Sequence, residues 1–192
     1  MIVGSWWLTR EIELSTLRAC LVSITAEPSL VATVHLPASK SDPAALGVAR
    51  SHGCTCGDEL PTPLYPVHAA WDQQLLVRRR FPLRATAVAV DHSLPLFPTA
   101  EGATVSKDAM TATIVRAAEL LGIALCSCDG GERVSGHTLR PTGAIGLTRL
   151  GMDSWVVELL GRWGAPQFAG TSEVLPPLRP QRSRVPPPSP PT

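Results

Sequence analysis

The sequence predicts an α+β domain, mostly helices around a small three-stranded antiparallel sheet. Apolar residues recur at helical spacing in blocks near residues 5–19, 66–80, 106–121 and 137–163. Short β-branched runs at 20–25, 30–36 and 45–50 are separated by the turn-forming Pro28-Ser29 and Ser39-Lys40-Ser41-Asp42-Pro43. A chain of 192 residues is long enough for one domain with a sizeable core.

Residues 5–19 read as the first helix. Trp6, Leu8, Ile12, Leu14 and Leu17 supply its apolar contacts, and Arg10, Glu11 and Glu13 are polar. The three runs follow as strands, with Lys40 at the tip of the hairpin joining the last two. Residues 51–65 are loop-like. Pro66 then starts a helix to Arg80 whose inner face is Val67, Trp71, Leu75 and Leu76. Residues 81–104 are irregular. Ser106 is a good N-cap, with Val105 and Met110 placed for a hydrophobic staple. That helix is expected to bury Met110, Ile114, Ala117 and Leu121 and to stop at Gly122. A loop over 123–134 leads to His137. From Glu173 the chain is rich in Pro, Arg, Ser and Leu and ends VPPPSPPT. Such a composition buries too little surface to offset its ordering cost, so the domain is expected to span 1–172, with a disordered, polyproline-like tail over 173–192.

The net charge is +1, without the basic excess of a strong nucleic-acid binder. The balance hides clusters: Arg78, Arg79, Arg80 and Arg84, and Arg179, Arg182 and Arg184. The first cluster suits a DNA backbone or a solvated helix end equally. No run is long and apolar enough to span a bilayer, and the start lacks the order of a signal peptide. The expectation is therefore no membrane partner and an intracellular location, nuclear in a eukaryote. Five cysteines, partly as Cys54-x-Cys56 and Cys126-x-Cys128, read as reduced thiols or metal ligands rather than disulfides. Cys54, Cys56 and His68 are candidate zinc ligands. Three fall short of the usual four, however, and Tyr65 stands where a further cysteine is expected. Cys126 and Cys128 complete a set only if the fold brings them near. Unmetallated cysteine is the preferred reading, with no metal and no cofactor expected. His35, His52 and His92 read as ordinary surface or strand residues.

The most informative stretch is 135–164, SGHTLRPTGAIGLTRLGMDSWVVELLGRWG. His137 and Arg140 are three apart, so on a helix they aim at a common point. Arginine grips two phosphate oxygens and histidine moves a proton. The run resembles the C-terminal box of the tyrosine recombinases, the phage-integrase family, and further motifs follow in the family's order. WWLTREIEL resembles the helix presenting the family's first arginine, which matches Arg10. HLPASKSDPAALG resembles the strand-turn-strand presenting its lysine, which matches Lys40. His137 and Arg140 match the His-x-x-Arg box. LLGRWG resembles the segment carrying a second His or Trp. Counting from Leu-Gly puts Arg162 at that position, whereas matching by side chain puts Trp163 there. Trp163 is preferred because an indole N–H can donate to a phosphate oxygen, although Val156, Leu160 and Trp163 also make an ordinary core stripe.

The resemblance covers residues 1–164 and implies a DNA breaking-rejoining catalytic core. It implies DNA binding and recombination or integration by strand cleavage and rejoining. Duplex DNA and other recombinase protomers are the implied partners, and no small-molecule substrate is. Arg10, Arg140 and Trp163 would donate to phosphate, Arg162 would contact DNA, Lys40 would protonate the leaving 5′ oxygen, and His137 would act as acid or base. Guanidinium groups then carry the charge stabilisation without a metal. The family's nucleophile is a tyrosine that forms a 3′-phosphotyrosine. Its counterpart is expected near Thr171 or Ser172, where there is none, and Tyr65 is the chain's single tyrosine. Impaired cleavage is therefore expected, from a truncated, decayed or frameshifted C-terminus. The alternatives are an inactive DNA-binding module of this type or a decayed mobile-element remnant. Pro141 is tolerated if its helix starts at Thr138, whereas a start at Gly136 would change the aim of Arg140.

Overall fold

The first apolar block forms two short helices rather than one. The computed structural model describes residues 1–36, 47–56, 64–85, 90–131, 133–163 and 173–174. In it α1 (Ile2–Trp6) and α2 (Glu11–Thr16) are separated by a turn at Leu8. Leu8 has φ 50°, in the left-handed region that a Cβ disfavours. Bonds back to α1 hold the turn. The Leu8 N–H donates to Ser5 O at 3.2 Å, and the Thr9 N–H and hydroxyl donate to Gly4 O at 2.9 and 3.3 Å. A fresh helix then starts at the N-cap Arg10, whose N–H donates to Glu13 Oε2 at 2.8 Å.

A 3-10 turn (Ala19–Leu21) leads into β1 (Val22–Thr25), β2 (Val31–Leu36) and β3 (Val48–Gly53). These form the expected antiparallel sheet in sequence order, with Val22 opposite Val34 and Leu36 opposite Val48. The third strand runs past the expected end at Arg50 to Gly53 because its polar end finds partners inside. The Ser51 and Thr33 hydroxyls bond at 2.7 Å, and His52 Nε2 lies 3.1 Å from Trp6 O. His52 is thus a buried strand residue with a polar partner. Lys40 falls in the β2–β3 connection, outside the described residues. A two-residue strand, β4 (Glu173–Val174), pairs parallel with β3. The sheet therefore reclaims the first two residues of the expected tail, and 175–192 lie outside the described residues.

The next helix, α3 (Pro66–Arg80), has the predicted bounds but presents a different face. Val67, Ala70 and Val77 are buried, while Trp71, Leu75 and Leu76 are exposed. Two glutamines set this rotation. Gln73 Nε2 donates to Leu96 O at 2.7 Å, and Gln74 Nε2 reaches Ala19 O at 3.4 Å and also Val22 O. Leu75 and Leu76 instead line an open apolar cleft of about 960 Å³ with Phe97 and Val105. Helix α4 (Lys107–Leu120) begins at the predicted cap, Ser106 Oγ accepting from the Ala109 N–H at 3.1 Å. It ends where Gly122 takes φ 68° and the Ile123 N–H returns to Ala118 O at 2.9 Å. Met110, Ile114 and Ala118 are buried, whereas Leu121, expected inside, is exposed because it lies beyond the last helical turn. Helices α5 (Leu139–Arg149) and α6 (Ser154–Gly161) complete the set. Among the described residues no helix is long and apolar enough to cross a membrane.

The main core joins Val3, Trp7, Leu14 and Leu17 to Val34, Val67, Leu96 and Met110. A smaller cluster of Leu8, Leu147, Val157 and Leu160 fastens α5 and α6 to the Leu8 turn. Helices α1 and α5 approach so closely that a Cβ on Gly143 would stand 1.9 Å from Ser5 O. Gly143→Ala is therefore expected to cost about 1–3 kcal/mol, or roughly 2–10 °C in Tm. A thermal melt unchanged from the parent chain would show that the two helices part without cost.

Candidate functional site

Two carboxylates in the first turn of α2 organise this site. Both were expected on a polar helix face, yet Glu11 is 2% and Glu13 8% exposed. Burying an ionised carboxylate costs several kcal/mol unless opposite charges compensate. Here the compensation comes from the helix's own N-cap and from three other parts of the chain. Glu13 pairs with Arg10 Nη2 at 3.3 Å, with Arg140 Nη2 at 3.1 Å and with Arg162 Nη2. Glu11 faces Lys107 Nζ at 3.6 Å and His137 Nδ1 at 3.7 Å.

Each partner is delivered by a local feature. Arg10 is the N-cap of α2. Arg140 is the second residue of α5, and its Nε donates to Leu8 O at 2.7 Å. The left-handed Leu8 thus turns its carbonyl toward the guanidinium. Pro141, third in α5, sits where a backbone N–H has no intrahelical acceptor, so it removes no helical bond. His137 precedes α5 in a turn instead of sharing a helical face with Arg140, and its side chain is 71% exposed. Lys107 opens α4.

The segment after α6 sends its two candidate residues in different directions. Arg162 caps α6 in the left-handed conformation, φ 55°. The Arg162 and Trp163 N–H groups donate to Leu159 O and Glu158 O, each at 3.1 Å. This reversal brings the Arg162 side chain back to Glu13. Trp163, preferred on side-chain grounds, is half exposed and folds over Gly161. Its indole N–H makes no hydrogen bond among the described residues, so Arg162 and not Trp163 joins the cluster. Arg84, grouped in sequence with the basic end of α3, serves a loop: it bonds Asp91 Oδ2 and Gly102 O at 2.9 Å and Ser93 Oγ at 3.0 Å.

The electrostatics follow from this geometry. Burial pushes the Glu13 pKa up, but the Arg10 N–H and the guanidiniums of Arg162, Arg140 and Arg10 outweigh it and hold the carboxyl below its ordinary value. Burial lowers the Arg140 pKa, opposed by Glu13. An arginine so placed stays charged at neutral pH. Arg10, Arg140, Arg162 and Lys107 face Glu11 and Glu13, an excess of two positive charges with His137 neutral. The side chains of Arg140 and Arg162 form a closed floor, each 13% exposed, while Lys107 and His137 form an open rim. Arg10 Nε and Arg162 Nε are buried without a hydrogen-bond acceptor. The arrangement is a set of forked guanidinium donors beside an exposed imidazole, a donor set able to bind an oxyanion.

Glu11, Glu13 and Lys107 were not singled out from sequence. The available signal was Arg10-x-x-Glu13, the spacing at which an N3 carboxylate returns to the N-cap N–H. A second cluster lies at the end of β3, where the side chains of Cys54, Cys56 and His68 meet. Cys126 and Cys128 are exposed and are not part of it. Tyr65 is the N-cap of α3. A scan against protein-family models finds no match to the chain, and a search of the curated proteins finds none similar to it.

Proposed function

We propose that this chain binds duplex DNA through its phosphate backbone, as a tyrosine-recombinase-like module with little or no strand-cleaving activity of its own. The observation that carries the reading is the convergence of Arg10, Arg140 and Arg162, from three separate elements, on the single carboxylate of Glu13. Ion pairing fixes the guanidinium directions in advance, and the excess positive charge draws a phosphate. The exposed position of His137 on the rim supports a role in proton exchange with a bound phosphate ester. The role of Lys40 as a general acid rests on the resemblance alone. Cleavage and rejoining need a nucleophile, and the single tyrosine, Tyr65, caps α3 beside the cysteine cluster.

Fluorescence anisotropy on a labelled duplex tests this reading. Binding is expected to weaken steeply with salt, since each neutralised phosphate adds about 0.9 to the log–log slope. Arg10→Ala, at the more exposed edge of the cluster, is expected to weaken binding several-fold and to lower that slope by about 1. Binding that ignores salt would overturn the DNA reading. A covalent adduct on a nicked suicide duplex would overturn the prediction of impaired cleavage.

A further inference from the structure

The three side chains at the end of β3 have no part in the arginine cluster, and their chemistry is different. Cys54 and Cys56 leave β3 just beyond Gly53, and the Cys54 N–H donates to Leu30 O at 2.7 Å, which fixes the chain there. His68 lies in the first turn of α3. His68 Nε2 stands 2.9 Å from Cys56 Sγ and 3.3 Å from Cys54 Sγ, and the sulfurs are 2.6 Å apart. Cys56 is buried, and the other two are half-buried.

We propose that Cys54, Cys56 and His68 bind one zinc ion. Two thiolates and an imidazole are a borderline-soft donor set, which selects zinc over magnesium or calcium. Zinc takes Zn–S bonds of about 2.3 Å and Zn–N bonds of about 2.0 Å in a tetrahedron, placing ligand atoms roughly 3.5–3.8 Å apart. The three side chains need to open by only about 1 Å to reach that spacing. Binding releases two thiol protons to solvent, and two thiolates then neutralise the divalent ion. A disulfide is the competing use of this pair. It requires an S–S distance of about 2.05 Å and gives no reason for an imidazole nitrogen to face both sulfurs.

The ion would staple the end of the sheet to the start of α3. His68 supplies the ligand that the Cys-x-Cys spacing lacks. Among the described residues no fourth ligand joins the three, which leaves that position to water or to an external donor. Such a staple orders α3, whose glutamines hold β1 and the Leu96 segment.

The test is anaerobic cobalt(II) titration of the full chain, purified with reductant and stripped of metal. One equivalent is expected to give sulfur-to-cobalt charge-transfer absorption and the intense visible bands of four-coordinate cobalt, both erased by zinc. Zinc is expected to raise Tm and a chelator to lower it. Cys126→Ser/Cys128→Ser is expected to behave as the parent, whereas Cys56→Ser and His68→Asn lose the bands. Because the parent chain alone gives the spectrum, the proposal stays testable even if those variants fail to fold. Absence of sulfur-to-cobalt absorption in the parent would overturn it. So would bands that depend on Cys126 and Cys128, or two thiols missing from a titration of the chain unfolded without reductant.

Discussion

Replacing Glu13 with glutamine is expected to destabilise the fold by about 3 kcal/mol, the lower end of the range for breaking a buried ion pair from one side. Glutamine keeps the shape and can still accept from the Arg10 N–H. It removes the negative charge that both Arg140 and Arg162 pair with among the described residues. Their side chains are 13% exposed, so water offers them little compensation. Arg10, at 27%, is better solvated, which is why the lower end of the range applies. An anion entering the cluster would replace the missing charge. Sulfate or inorganic phosphate should therefore raise the urea midpoint of Glu13→Gln more than that of the parent, in proportion to occupancy. This ties stability to the proposed function, because the same cluster would be holding a DNA phosphate. A variant as stable as the parent would show that the guanidiniums are already solvated and that Glu13 does not position them.

What could be read from the sequence was local, and what could not was decided by distant partners. The Ser106 cap, the start of α3 at Pro66 and the stop at Gly122 depend on residues within one helical turn, and they stand where expected. The sheet followed from β-branched runs, but its third strand extends through Ser51 and His52, whose burial depends on Thr33 and Trp6. The break at Leu8 had no local signature, because one of the groups that stabilise it is Arg140, far along the chain. The inner face of α3 was misplaced for a similar reason: Gln73 and Gln74 turn inward only because carbonyls of Leu96 and Val22 await them. In the site, residue type and spacing pointed to His137 and Arg140 as phosphate chemistry, whereas Arg10 came from the family resemblance alone. Whether Arg162 or Trp163 joins them turned on a left-handed cap that spacing does not prescribe.

Acid should loosen the fold through His52 before it reaches the carboxylates. Burial pushes the pKa of His52 down from 6.5 to about 4, opposed in part by its bond to Trp6 O. In the neutral ring Nε2–H donates to that carbonyl at 3.1 Å, while Trp6 and Trp7 stand edge-on at 5.6 and 4.7 Å between ring centres. The unfolded chain takes up a proton at this histidine below about pH 6.5, and the folded chain resists until about pH 4. Between those limits the unfolded state holds more protons, so stability falls as pH falls and levels off below the lower one. The full loss is about 3 kcal/mol. Glu13 acts lower: its pKa is depressed below 4.5, so its contribution is lost only as pH falls from there through the folded value. The upper part of the window thus isolates His52 from Glu13. Urea midpoints measured across it should fall in the parent and stay flat in His52→Gln, whose amide can still donate to Trp6 O. An equal slope in both proteins would move the acid sensitivity elsewhere. His52 joins β3 to α1, and α1 anchors the Leu8 turn that holds Arg140. The same acid step is therefore expected to weaken DNA binding in the parent more than in His52→Gln.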